Sequence, residues 1–349
     1  MDVSIERFDP QSASREEWAR FHVYRRLQHE EENPGDPLVD DRTQETWMKE
    51  PDPQSDVIRF AAAKRDGAEE VVGWLYFSIH RKDSPSYETR KDAAQIAPWV
   101  LKPYRRQGIG RRLLAKAVEL AREHNRSVIM GHCQDDDGKA FIKTIGAEIG
   151  LRTRESRLYM DRVDWEMVKK WAEEGPKRSP DTTLEFLGDR IPEDILEDYC
   201  AILTEVSNDA PRGDMKLGDI VITPATVRGW EDTIRKSGGM ALDVITRESD
   251  GEISGLTAMG YFPDEKTIIH QFMTGVKGKH RGRGLGKWLK AAMLLRVREE
   301  FPQVEAVSTD NATTNAAMLS INERLGFEPY KEGIWAQIQV AALENYLAR

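Results

Sequence analysis

Arg281-Gly282-Arg283-Gly284-Leu285-Gly286 is the stretch whose residue types and spacing speak most directly of chemistry. Three cations, Lys279, Arg281 and Arg283, crowd a turn that carries glycines at 282, 284 and 286. Glycine lets a ligand come close to backbone N–H groups, and a helix that begins at such a turn offers unpaired N–H groups and a partial positive charge. The combination suits a pyrophosphate. No Gly-Lys-Ser/Thr closes the turn, so it is not a nucleoside-triphosphate loop. A dinucleotide fingerprint opening at Gly282-x-Gly284 would need glycine at 287, where Lys287 stands.

The flanking elements must position that turn. Upstream, the apolar run Thr267 to Val276, which ends in Gly275-Val276, predicts a strand. Downstream, Leu285, Trp288, Leu289, Ala292, Met293 and Val297 recur at helical spacing and give one apolar stripe. The unit is therefore strand, glycine turn, helix, and it occurs twice. Arg105-Arg106-Gln107-Gly108-Ile109-Gly110, followed by Arg111, comes after the apolar run Ala93 to Leu101. It precedes a helix with Leu113, Leu114, Ala117, Val118 and Ala121 on one face. Gly108 and Gly284 lie 176 residues apart. Asn33-Pro34-Gly35-Asp36 matches Ala210-Pro211-Arg212-Gly213-Asp214, and Ile145-Gly146-Ala147 matches Leu325-Gly326-Phe327, at nearly the same offset. A repeat this long is a duplicated domain rather than a solenoid.

The 349 residues suffice for two domains of ordinary size. With 39% hydrophobic and 32% charged residues the composition is that of a soluble globular protein. The net charge of −9 argues against non-specific nucleic-acid binding. Two cysteines, Cys133 and Cys200, point to a reducing compartment rather than a disulfide scaffold. The polar N-terminus carries no signal-peptide pattern, and no apolar run approaches the ~20 residues that span a bilayer. The expected location is the cytoplasm. His132 and Cys133 are neighbours without a second ligand pair, so no metal site is expected.

Read in order, the first half predicts a strand at 3–8, a helix from Ser12 or Ser14 to about Glu32, a short helix at Gln44 to Lys49, and a hairpin turning at Asp66-Gly67. Then come the turn's strand and helix, a strand at 127–132, a helix at 135–144, and two strands near 147–150 and 155–160. A connecting helix from Asp164 is expected to stop at Gly175-Pro176. The second half replays the order: strand 183–187, helix 192–207, loop 208–219, helix 224–235, and a hairpin about Asp250-Gly251. After the turn's strand and helix follow a strand at 305–309, a helix at 311–325, a strand at 330–340 and a terminal helix. The fold class is α/β: a mixed, largely antiparallel sheet with flanking helices, present as two tandem domains. The expected partition is 1–163, a connecting helix and linker at 164–181, and 182–349.

Arg281-x-x-Gly284-x-Gly286 resembles the acyl-CoA-binding motif of the GCN5-related N-acetyltransferases, and the element order of both halves is similar to that family's. The two-domain plan looks like that of the family's tandem members. The resemblance implies acetyl-CoA as cofactor, held by Gly275, Val276, Arg281 to Lys287 and Asn315 in the second half and by Arg105 to Arg111 in the first. It also implies a base fourteen residues before the motif glycine, which here is His270. A histidine titrating near ~6.5 suits that task; a plain strand position is the alternative. The same count in the first half falls on Ala94, which cannot be a base. The family's Asn-x-x-Ala-x-x-Leu-Tyr pattern maps onto Asn315 to Asn322, with Asn322 where the tyrosine would protonate the thiolate; Tyr330 is the substitute candidate.

The loop at 208–219 lies where the family builds its acceptor pocket, so Asp209 and Asp214 could attract a cationic amine, although ordinary turn chemistry accounts for them slightly better. The expectation is an N-acetyltransferase acting on a primary amine of a small molecule, with the C-terminal half catalytic and the N-terminal half degenerate. A peptide or protein amine, or a non-catalytic acyl-CoA-binding regulator, are the rival readings.

Overall fold

A computed structural model describes residues 2–65 and 69–349. The hairpin tip expected at Asp66-Gly67 lies outside the described residues. The first half gives β1 (Val3–Phe8), α1 (Arg15–Glu32), α2 (Asp41–Lys49), β2 (Ser55–Lys64), β3 (Glu70–His80), α3 (Tyr87–Arg90), β4 (Ala93–Val100), α4 (Ile109–Glu123), β5 (Val128–Cys133), α5 (Asp136–Thr144) and β6 (Glu148–Tyr159). Then come α6 (Trp165–Arg178), β7 (Thr182–Leu187), α7 (Leu196–Asp209), α8 (Pro224–Lys236), β8 (Met240–Glu248), β9 (Ile253–Tyr261), β10 (Ile268–Val276), α9 (Leu285–Glu300), β11 (Ala306–Ala312), α10 (Ala316–Leu325), β12 (Glu328–Gln339) and α11 (Val340–Ala348).

Local signals account for most boundaries. Ser14 and Glu17 cap α1 reciprocally, and Thr223 with Pro224 opens α8. Three of the differences from the sequence expectation lie at element boundaries. The two strands foreseen near 147–150 and 155–160 are one strand, β6. Gly175-Pro176 does not stop α6, which runs on to Arg178. A Cβ on Gly175 would stand 2.2 Å from the Trp288 indole, so the bare glycine lets α6 close onto α9. Pro176 is thus carried in the last turns of α6, although a helix-interior proline costs ~3 kcal/mol. The helix foreseen from Asn311 begins at Ala316, because β11 continues to Ala312 and Asn315 caps α10.

The chain forms two compact units. Unit 1 takes the chain up to Arg152, then Arg212–Asp219 and Gly333–Arg349; unit 2 takes Thr153–Pro211 and Ile220–Glu332. These units are not the continuous spans 1–163 and 182–349. The reason is strand pairing. In unit 1 the strand order is β1-β2-β3-β4-β5-β12, closed by the last strand of the second half; in unit 2 it is β6-β11-β10-β9-β8-β7, with the last strand of the first half at its edge. Ile334–Gln339 pair antiparallel with Cys133–Val128, and Thr153–Tyr159 pair with Ala312–Ala306. Each sheet is antiparallel except at β4/β5 and β10/β11.

The two cores follow the helical stripes. Leu113, Leu114 and Ala117 of α4 pack on Leu75, Phe77, Ala94 and Ile129. Leu289, Met293 and Val297 of α9 pack on Leu158, Ile269 and Val307. Both parallel ladders are short. Pairing ends at Ile96 with Gly131 and at Gln271 with Thr309, although β4 and β10 run on to Val100 and Val276. Past those points the parallel strands no longer pair, and each leads towards its glycine turn.

Candidate functional site

The two turns have the same backbone. Gly108 and Gly284 cap α4 and α9 in the left-handed region, at φ 83° and 85°. Two residues earlier the turn again needs positive φ: Gly282 sits at 81° and Arg106 at 62°. Arg106 therefore holds a conformation that costs an L-residue ~1–2 kcal/mol. The first arginine of each motif braces its turn. Arg105 Nε donates to the Val100 carbonyl at 2.9 Å, and Arg281 Nε to the Val276 carbonyl at 3.0 Å. Each also meets carboxylates: Arg105 meets Asp135 and Asp137, and Arg281 meets Asp209 at 2.7 Å.

Beyond that likeness the surroundings diverge. In unit 2, Arg283 binds Glu248 at 3.0 Å and Thr182 Oγ1 at 2.5 Å. Glu252 gathers Lys279, His280 and Lys277, which hold its carboxyl down at about 2. Lys287 lies 5.3 Å from the Trp171 ring, and burial lowers its pKa. Arg178 of α6 reaches over Gly284, where an added Cβ would lie 3.5 Å from its Nη1. The cavity lined by Trp171, Glu174, Gly175, Arg178, Gly284 and Lys287 holds about 30 Å³, room for one or two waters. Gly275 lies against Val206, Leu285 is core, and a Cβ on Gly286 would touch Ile321 at 3.5 Å. Asn315, expected on the cofactor, accepts the Met318 N–H as a helix cap.

In unit 1 a Cβ on Gly108 would meet nothing within 4 Å. Gln107 donates to the Pro103 carbonyl, Arg111 donates to the Leu347 carbonyl, and Ile109 is core. Beside this turn, where β4 and β5 cease to pair, lies a cavity of about 260 Å³. Trp74, Tyr76, Trp99, Phe141, Ile142 and Asp135 line it, with Ala336, Gln337 and Ile338 of β12. Asp135 joins it to Arg105 of the turn. The Trp99 indole N–H is buried in this wall without a hydrogen-bond partner among the described residues.

The expected catalytic trio is not gathered at one point. His270 Nε2 lies 3.2 Å from Glu265 Oε2, at a partly exposed position. Its row across the sheet continues to Ser308 and Arg157, two strand spacings or about 10 Å away. Tyr330 stacks there, with the Arg157 guanidinium 3.5 Å from its ring centre. Asn322 donates to Asn311 Oδ1 at 2.8 Å, and Asn311 alternates to the opposite face from Ser308. Asn322 is thus a buried core amide on the far face from His270. Asp209 and Asp214 fall in different units: Asp209 pairs with Arg281, whereas the Asp214 carbonyl accepts from Gln337 at 3.0 Å in unit 1.

Lys290 was not foreseen. It sits inside α9 at 2% exposure, its Nζ 3.4 Å from Gln271 Oε1, and burial lowers its pKa to about 7. The sequence signal is a lysine within the run Trp288-Leu289-Lys290-Ala291-Ala292-Met293. α6 covers a second side of that helix, so residues off the expected stripe are buried too.

Residues 18–144 match the model of the acetyltransferase (GNAT) family. The matched stretch lies within unit 1 and is similar to that family's domain. A tandem GNAT protein from the clavulanic acid biosynthesis pathway superposes with a TM-score of 0.76 at 22% identity, covering 97% of this chain and 99% of that one. A GCN5-related N-acetyltransferase from Sphaerobacter thermophilus gives 0.61 at 12% identity, covering 97% and 96%. A glucosamine N-acetyltransferase region of a fungal multi-domain β-N-acetylglucosaminidase gives 0.64 at 13%, covering 97% of this chain and 38% of that one. At these identities the likeness is one of fold, and it extends the tandem GNAT plan over both halves. A comparison with curated proteins finds no match. Among the described residues no helix is long and apolar enough to cross a membrane.

Proposed function

We propose that this chain is an acetyl-CoA-dependent N-acetyltransferase that acts on a primary amine of a small molecule, and that unit 1 holds the acyl-CoA. The observation that carries the placement is the 260 Å³ cavity beside the Gly108 turn, where β4 and β5 part. The residues fit the cofactor. The N-terminus of α4 points unpaired N–H groups at the turn, Gly108 leaves room for a phosphate, and the buried Trp99 N–H offers a donor where the strands part. Acetyl-CoA supplies an activated thioester. The protein's tasks are to hold it against a neutral amine, exclude water, and accept the amine's proton. Trp74, Tyr76 and Phe141 supply the apolar walls. Two free cysteines suit a cytoplasmic setting.

This placement reverses the expectation that the C-terminal half is the catalyst. That expectation keeps one observation in its favour, the His270–Glu265 contact, and it stands as the second reading. The reaction is tested by following CoA release from acetyl-CoA over spermidine, glucosamine, amino acids and a lysine peptide, with products identified by mass. A small acetylated amine supports the reading. A shifted peptide mass moves the acceptor to protein, and binding of acetyl-CoA without release for any acceptor makes the chain a sensor.

A further inference from the structure

His132 has no role in the reading so far. Counting back from the motif glycine places the first half's base at Ala94, a core alanine with no exposed surface. A transferase site in unit 1 must therefore find its base elsewhere. Strand register shows where to look. Tyr76 pairs with Ala97, Gln95 with Met130, and Trp335 with His132. Because side chains alternate along a strand, Tyr76, Ala97, Trp99, Met130 and His132 share one face of the sheet. This is the face that α1 covers, through Phe21 and Tyr24 against Trp74. His132 is the first residue of β5 beyond the last parallel pair, Ile96 with Gly131, and it lines the cavity.

We propose that His132 is the general base of unit 1, receiving the proton of an acceptor amine bound on the α1 face of the cavity. The inference rests on the placement of acyl-CoA in unit 1. In the step, the amine nitrogen forms a C–N bond to the acetyl carbon and the C–S bond breaks. One proton leaves the nitrogen for the imidazole, and the sulfur departs as thiolate and takes a proton back from the imidazolium, so that amine and acetyl-CoA give amide and CoA. His132 keeps solvent-exposed surface, yet partial desolvation by its neighbours lowers its pKa from the ordinary 6.5, which favours the neutral ring that can accept a proton at pH 7. The other titratable groups of the cavity are Glu32 from α1, Tyr76 from β3, and Cys133 and Asp135 after β5. Cys133 cannot substitute, since burial and Asp135 push its thiol up to about 12.

The test uses the full chain, with His132→Gln and His132→Ala beside wild type. Acetyl-CoA affinity is read by calorimetry. CoA release is read with spermidine, glucosamine and lysine, and with water as the fallback nucleophile. The His132 ring resonances are followed by NMR through a pH titration and on addition of acetyl-CoA. The expected result is affinity unchanged within about 2-fold, release lowered by about 10²-fold or more, loss of the acidic limb of the kcat/KM profile, and a ring pKa below 6.5 whose resonances move when acetyl-CoA binds. Release within about 3-fold of wild type overturns the assignment, as do ring resonances that ignore acetyl-CoA. If acetyl-CoA still binds Gly108→Glu as it binds wild type, the unit 1 placement fails instead, whatever His132 does.

Discussion

Lys290→Met is expected to stabilise the protein at neutral pH, by an amount that shrinks as pH rises. Lys290 Nζ has Gln271 Oε1 at 3.4 Å and the Phe327 ring centre at 5.2 Å, and burial alone moves its pKa from 10.5 to about 7. The unfolded lysine keeps its proton to about pH 10, while the folded one gives it up near 7. Between those values the unfolded state binds one proton more, so stability rises with pH across that window. A shift of roughly 3.5 units at 1.36 kcal/mol each sets an upper bound of about 5 kcal/mol on the change. Methionine follows the lysine stem to Cε and carries no charge, so the variant is expected to gain about 2–4 kcal/mol at pH 7 and almost nothing by about pH 10. Urea unfolding of both proteins at pH values from about 6 to 10 measures the gap. A gap that is flat with pH, or a variant less stable at pH 7, refutes the reasoning.

Two further outcomes follow from the architecture. Arg106→Gly relieves the positive φ of 62° and should stabilise by about 0.5–1 kcal/mol; a lower melting temperature contradicts this. A chain cut after Val163 lacks Ala336, Gln337 and Ile338, which line the unit 1 cavity, and lacks the partner strand of β5. It should not bind acetyl-CoA in calorimetry, and a cooperatively folded, acetyl-CoA-binding fragment would show that the closing strand is dispensable.

Much of this fold was legible because its signals are local. The apolar stripes of α4 and α9, the turn glycines with positive φ, and the caps at Ser14 and Thr223 depend on neighbours within one helical turn. The closing strands could not be read this way. β6 and β12 both look like strands, but which strand each pairs with is a long-range choice that alternation does not encode. That choice makes the compact units discontinuous in sequence. The site divided along the same line. The two turns and their helices stand where the motif put them. Asn315 and Asn322 fitted the motif's spacing, yet they cap a helix and fill a core. The unit 1 cavity escaped notice because its walls come from β3, β4, β5, α5 and β12, which are far apart in the chain. Lys290 escaped because a second helix, α6, buries a face that a single stripe leaves outside.

Calorimetric titration of acetyl-CoA into wild type, Gly108→Glu and Gly284→Glu tests the central claim most directly. A Cβ at 108 meets nothing and one at 284 meets only Arg178 within 4 Å, but both backbones are left-handed, so each variant carries a similar strain of ~1–2 kcal/mol and the pair is compared once thermal unfolding shows both folded. At either turn the new carboxylate would face the pyrophosphate. The account predicts that Gly108→Glu weakens binding by about 10²-fold or more, a loss of about 2.7 kcal/mol, while Gly284→Glu binds as wild type does. Binding lost in Gly284→Glu and kept in Gly108→Glu would return the chemistry to the C-terminal half.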